Sequence, residues 1–294
     1  MKTLSSLRFW LLAGRPRTLF ASVSPVVVGA ALALQAGSFR LLPALAALFV
    51  AAAIQIGTNF ANDLGDYRRG ADTAARVGPT RVTSAGLLSP RQVATGMWVA
   101  FGLAAAAGLY LVSVGGWPVL VAGVASIAAG IAYTAGPLPL GYYGLGDLAV
   151  FIFFGLVGTI GTYYVQTLAV TPLAVASAVP VGALITAILV VNNLRDADTD
   201  RAAGKRTLAV LLGRRGARLE YLALLLVAYA TPAVLLLFFG QRAWVLLTLL
   251  TLPLAIRLWQ DVLHTLGPAL NRTLAGTAQL AFVYAIVFAL GLML

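Results

Sequence analysis

Residues 41–72, LLPALAALFVAAAIQIGTNFANDLGDYRRGAD, run from an almost wholly apolar stretch into three aspartates and two arginines. The apolar part is about as long as a helix needs to be to cross a bilayer core of roughly 30 Å. Backbone groups in lipid must be satisfied within the segment, so the stretch predicts a membrane-spanning helix. Asp63, Asp66 and Asp72 then sit where that helix leaves the lipid. A second stretch, NNLRDADTDRAAGKRT from Asn192, repeats the arrangement with Asp196, Asp198 and Asp200. Together the two hold six of the chain's nine acidic residues, which makes them a candidate site rather than scattered solubilising charge.

The rest of the chain carries the same message. Only 10% of the 294 residues are charged, 61% are hydrophobic, and mean hydropathy is +0.94. An ordinary soluble domain has about 25% charged residues and is excluded. Nine candidate spans can be marked, at about 18–36, 41–61, 93–113, 117–135, 146–167, 173–193, 219–240, 243–261 and 273–293. The expected fold is all-α: one polytopic membrane bundle of nine transmembrane helices around a central cavity, occupying residues 1–294 as a single domain. With no cysteine there is no disulfide, thiolate metal site or cysteine nucleophile.

The net charge of +11 does not point to nucleic acid, because of how the charges are placed. If the N-terminus is cytoplasmic, all Lys and Arg except Arg40 and Arg242 lie on or near the cytoplasmic side. That is the positive-inside pattern, and it puts both acidic clusters on the cytoplasmic face of a plasma or inner membrane. Three polar loops are expected on that face: about 62–92, then 136–145 (GPLPLGYYGL, leading into Asp147), then 194–218.

Mg²⁺ is typically held by one or two carboxylates together with phosphates and waters. Each cluster offers that number, with an Asn four residues before an Asp (Asn62 and Asp66, Asn192 and Asp196), a spacing that shares a helix face. The expected metal set is Asn62, Asp63, Asp66, Asp72, Asp196 and Asp200. Asp198 is expected to point elsewhere, toward an Arg. Arg76, Arg81, Lys205 and Arg206, with Asn62 and Asn192, suit a diphosphate, since guanidinium groups bind phosphate in a bidentate way. Asp147 reads either as a helix N-terminal carboxylate or as a group that positions or deprotonates an aromatic acceptor. Among Tyr133, Tyr142, Tyr143, Tyr163 and Tyr164 the pattern does not choose between interfacial and cavity-lining roles. His264 reads as structural, and the GLVG at Gly155 as close helix packing.

The N-D-x-x-D of the first cluster and the D-x-x-x-D of the second, on a basic nine-span chain, resemble the UbiA superfamily of intramembrane prenyltransferases. RPRTLFASVSPVVVG from Arg15, YTAGPLPLGYYGLGD from Tyr133 and NNLRDADTDRAAGKRTLAVLLG from Asn192 extend the resemblance over almost the whole chain. The broad motif has three residues between its second and third Asp; here five separate Asp66 from Asp72, and GPTR follows at Gly78. Both features look like the 1,4-dihydroxy-2-naphthoate branch (MenA) rather than the 4-hydroxybenzoate branch. The resemblance implies a polyprenyl diphosphate and 1,4-dihydroxy-2-naphthoate as substrates. Membrane lipid is the expected surroundings and Mg²⁺ the expected cofactor, and Asp66, Asp72, Asp147, Asp196 and Asp200 are the expected catalytic residues. A superfamily member with another aromatic acceptor and a membrane transporter are the competing readings. A transporter would place its ionisable groups near mid-membrane, whereas these lie at helix ends.

Overall fold

The computed structural model describes residues 2–71 and 77–294, and every regular element among them is helical. α1 (Lys2–Gly14) turns at Arg15, in the left-handed region at φ 50°, into α2 (Leu19–Gln35). α3 is Leu41–Arg68, α4 Pro90–Gly115 and α5 Trp117–Ala132. α6 (Gly146–Thr167) winds as a π-helix over Phe151–Val157. α7 is Pro172–Ala202, α8 Gly213–Phe238, α9 Ala243–His264 and α10 Leu270–Met293. A helix stands at each expected span. Among the described residues, eight helices are long and apolar enough to cross a membrane, the first running Leu7–Gln35 through the turn at Arg15. α5 has 16 residues, about 24 Å at 1.5 Å per residue, and falls short of a full bilayer core.

Helix starts follow local chemistry. Ser89 and Gln92 form a capping box ahead of α4, and the Thr171 hydroxyl accepts from Ala174 N–H at the start of α7. Small residues let the helices approach. A Cβ on Gly155 of α6 would lie 2.6 Å from the Gly182 Cα of α7, so the two backbones touch there, as the GLVG stretch suggested. α7 is the most enclosed helix, packed against α6, α8 and α10, and α2 packs against α3, α6 and α10. One apolar core, including Leu184, Tyr221 and Tyr284, joins α2 and α6 to α10. Another, including Phe60, Val93 and Phe101, joins α1, α3, α4 and α5.

Both acid-bearing helices outrun their apolar segments, α3 to Arg68 and α7 to Ala202, so Asp63, Asp66, Asp196, Asp198 and Asp200 lie on helix rather than loop. Both end in the same way. Gly70 (φ 65°) and Gly204 (φ 75°) adopt the left-handed conformation that only glycine takes cheaply. Gly70 N–H then donates to Tyr67 O and Ala71 N–H to Asp66 O; Gly204 N–H donates to Arg201 O and Lys205 N–H to Asp200 O. This is the Schellman termination, and it reverses the chain just past each helix.

Asp63 anchors the segment that follows α3. Its carboxylate accepts from Val82 N–H (3.0 Å) and Thr83 N–H (3.1 Å), both buried. Asp63→Ala would leave two buried donors unpaired, at about 1–3 kcal/mol each. We expect it to lower the melting temperature in detergent and to open the chain to trypsin at Arg81. Unchanged protease resistance would show that the segment is held by other means.

Candidate active site at the ends of α3 and α7

Asp66, on the last turn of α3, is 2% exposed and has three partners from three different segments. Arg81 Nη2 meets its Oδ2 at 2.7 Å. The Tyr142 hydroxyl donates to Oδ1 at 2.8 Å, and Lys205 Nζ reaches the same oxygen at 3.1 Å. Arg81 arrives there because Asp63 fixes the next two residues. Lys205 arrives because Gly204 folds the chain back. Tyr142 is held by Arg206, whose N–H donates to its carbonyl at 2.9 Å.

Lys205 also stands 3.8 Å from Asp200 Oδ1, so one ammonium lies between a carboxylate of α3 and a carboxylate of α7. Beneath it is the Tyr142 ring, with Nζ 4.8 Å and Arg69 Cζ 5.2 Å from the centroid, a cation–π arrangement. Arg69 donates to Thr134 O and Gly136 O, which pins the 133–145 segment to the end of α3. Gly65 makes room for this approach, since a Cβ there would be 2.5 Å from Thr134 Oγ1.

One turn deeper on α7, Asp196 is grasped by its neighbour. Arg195 Nε and Nη2 meet its two oxygens at 2.8 and 2.6 Å. The same guanidinium donates to Asn192 Oδ1 and Asn271 Oδ1, both at 2.9 Å, and so ties α10 to the site. Asp198 turns outward to Arg214 Nη2 at 2.6 Å, the arginine contact expected of it.

The expected residues therefore fall into distinct places. Asp66, Arg81, Asp200 and Lys205 come together, with Asp196 about one turn and Asn192 about two turns further in. Asn62 turns its amide oxygen to Thr134 Oγ1 at 3.2 Å. Asp63 has both carboxylate oxygens engaged by backbone N–H groups, which makes it an anchor for the segment after α3. Arg206 contributes its backbone, and its side chain is exposed. Asp72 and Arg76 lie outside the described residues. Asp147, at the start of α6, is buried at 5% exposure.

Sequence reasoning overlooked Arg195, Arg69 and Asn271 and could not single out Tyr142. It also paired the clusters one turn out of step with their helix ends. Counted back from the glycines, Asp66 corresponds to Asp200 and Asn62 to Asp196. The signal was present in DYRRG at Asp66 and DRAAG at Asp200, each an Asp four residues before a helix-ending Gly.

For a divalent cation the donor chemistry fits. A positive charge already stands between Asp66 and Asp200, and two carboxylates are what Mg²⁺ asks of a protein when phosphates and waters complete its shell. No group of three or more acidic, His or Cys side chains is close enough among the described residues to hold an ion by itself. Such a site needs a phosphate-bearing partner.

Known proteins share this chain's sequence pattern and fold. The UbiA prenyltransferase family profile matches residues 22–273. A 1,4-dihydroxy-2-naphthoate octaprenyltransferase of Mycobacterium tuberculosis is 41% identical over 98% of both chains. The enzyme of the same name from Escherichia coli is 36% identical over 99% of this chain and 97% of its own. Among solved structures, a UbiA homologue from Archaeoglobus fulgidus bound to GPP and Mg²⁺ superposes with a TM-score of 0.68 at 16% identity, covering 97% of this chain and 99% of that one. An apo UbiA homologue from Aeropyrum pernix gives a TM-score of 0.70 at 18% identity, covering 93% and 96%. With an all-helical membrane bundle, a family match over most of its length and relatives matched end to end, this chain belongs to the UbiA prenyltransferase family.

Proposed function

We propose that the protein transfers a polyprenyl group from its diphosphate to 1,4-dihydroxy-2-naphthoate, releasing diphosphate and CO₂ and giving the demethylmenaquinol of menaquinone biosynthesis. The observation that carries the reaction class is the position of Lys205 between Asp66 and Asp200, with Arg81 on the other side of Asp66. Carboxylates and cations alternate there within a few ångströms, as binding a metal–diphosphate complex requires. The acceptor is carried over from the naphthoate enzymes that match end to end.

Asp66 and Asp200 would hold Mg²⁺, with Asp196 one turn deeper and Asp72 on the segment after α3 as further ligands. Bound there, the ion would supply Lewis-acid stabilisation of the leaving diphosphate's charge. Lys205 and Arg81 are placed to turn from Asp66 to phosphate oxygens, and Arg76 on the same segment as Asp72 adds a third cation. Such charges, fixed before reaction, favour the transition state because they need no reorganisation as the C–O bond breaks. The allylic fragment left behind is attacked by the electron-rich aromatic ring, so the protein supplies no nucleophile. The prenyl chain is apolar and belongs among the helices, while its diphosphate belongs at this charged end. The crowding of basic residues around that end supports a cytoplasmic face of the cell membrane for it.

Purified protein is expected to form prenylated naphthoquinol only with divalent metal, and excess EDTA should stop it reversibly. Product formed in EDTA would remove the metal from the mechanism, and turnover of 4-hydroxybenzoate but not the naphthoate would reassign the acceptor. Asp66→Asn and Asp200→Asn should each slow turnover by about 10²-fold or more. Lys205→Met should raise KM for the prenyl diphosphate about ten-fold or more, the value of a charge-assisted hydrogen bond. Wild-type kinetics in all three variants would displace the site from the ends of α3 and α7.

A further inference from the structure

Asp147 is a buried carboxylate near this site that the metal–diphosphate chemistry leaves unused. It opens α6 and is 5% exposed, and its Oδ1, shielded from solvent, accepts no hydrogen bond among the described residues. Leaving a carboxylate oxygen buried and unpaired is costly, so a fold that keeps one has a partner in view. Asp63, Asp66 and Asp196 by contrast each have both oxygens bonded.

The surroundings say what that partner is. Tyr133, at the end of α5, lies with its ring between two glycines. A Cβ on Gly141 would meet Tyr133 Cε1 at 2.9 Å, and a Cβ on Gly146 would meet the phenol oxygen at 2.9 Å. Gly146 directly precedes Asp147, so the phenol is brought beside the base of the Asp147 side chain. From there it is within electrostatic reach of three carboxylates, Asp147, Asp66 and Asp200. Glu220 of α8 is within electrostatic reach of Asp147. Asp147 therefore sits next to the diphosphate end but belongs to a separate pole, marked by an unpartnered carboxylate oxygen and a phenol.

We propose that Asp147 is the catalytic base for the aromatic acceptor, its free Oδ1 taking the proton of a ring hydroxyl, with Tyr133 the positioning residue that orients the acceptor. This rests on the transferase reading above. The hydroxyl's O–H bond breaks and its proton passes to Asp147. The freed electron pair moves through the ring into a new bond to the prenyl C1, whose bond to the diphosphate oxygen breaks, and diphosphate leaves with that pair. Loss of CO₂ returns an electron pair to the ring, and the ring oxygen recovers its proton from Asp147. No oxidant or reductant is needed.

Wild-type turnover of the naphthoate tests the transferase reading itself. The base is tested by the ratio of Asp147→Asn to wild type, using whichever aromatic acid wild type accepts. We expect kcat to fall about 10²–10³-fold, the usual worth of a general base. KM for the prenyl diphosphate should stay within about two-fold and the melting temperature should be kept, since Asn is isosteric. A ring-fluorinated acceptor, whose hydroxyl is more acidic, should shrink the deficit at least about ten-fold, because it needs the base less. Asp147→Glu, which keeps the carboxylate, should recover part of the rate and serves in its place if Asp147→Asn does not fold. Tyr133→Phe should raise KM for the acceptor with a smaller change in kcat. A rate for Asp147→Asn within about three-fold of wild type, or an equal loss with plain and fluorinated acceptors, overturns the proposal.

Discussion

The carboxylate of Asp66 is the hinge of the structure. It is buried at the end of an apolar helix, where an ionised group is costly unless it is paired and hydrogen-bonded. Arg81, Tyr142 and Lys205 meet that need, and each comes from a different segment between helices. Removing one partner of a buried ion pair costs about 3–5 kcal/mol. The segments after α3, α5 and α7 are thus tied to one another through a single side chain. Asp200 joins the group through Lys205, and Arg69 and Arg206 secure Tyr142 from both sides.

This arrangement lets one local device serve two purposes. The glycine terminations at Gly70 and Gly204 end helices that would otherwise run out of the membrane, and they fold the following residues back over the helix ends. At α7 that reversal delivers Lys205 to carboxylates on two helices. The charged groups needed for stability are then the groups a metal–diphosphate would engage. They are balanced by one another until a ligand with its own charges competes for them. Arg195 does similar work one turn deeper, where its guanidinium is saturated by Asp196, Asn192 and Asn271.

Much of this was legible beforehand. Apolar run lengths placed the helices, and the crowding of six acids into two stretches marked the candidate site, because carboxylates at the ends of membrane helices are too costly to be incidental. Asp66, Arg81, Asp200 and Lys205 were all among the residues singled out. Asp63, expected to support the metal, shows a further task that spacing did not reveal, since its carboxylate holds the backbone N–H groups of Val82 and Thr83 from a segment about twenty residues on. Arg195 was passed over although it stands within the second acidic stretch, directly before Asp196. Its partner Asn271 lies 76 residues away.

The sequence by itself determined an all-helical membrane chain, the two acidic helix ends and their basic neighbours. These follow from hydrophobic length and from the cost of charge in lipid, which act locally along the chain. Only the tertiary structure decided which charges share a partner: that Lys205 stands between Asp66 and Asp200, that Tyr142 rather than another tyrosine closes the group, and that Asp147 keeps a free oxygen beside Tyr133. Those pairings depend on where distant segments meet. Spacing along one helix fixes a face, but it does not fix what another helix brings to that face.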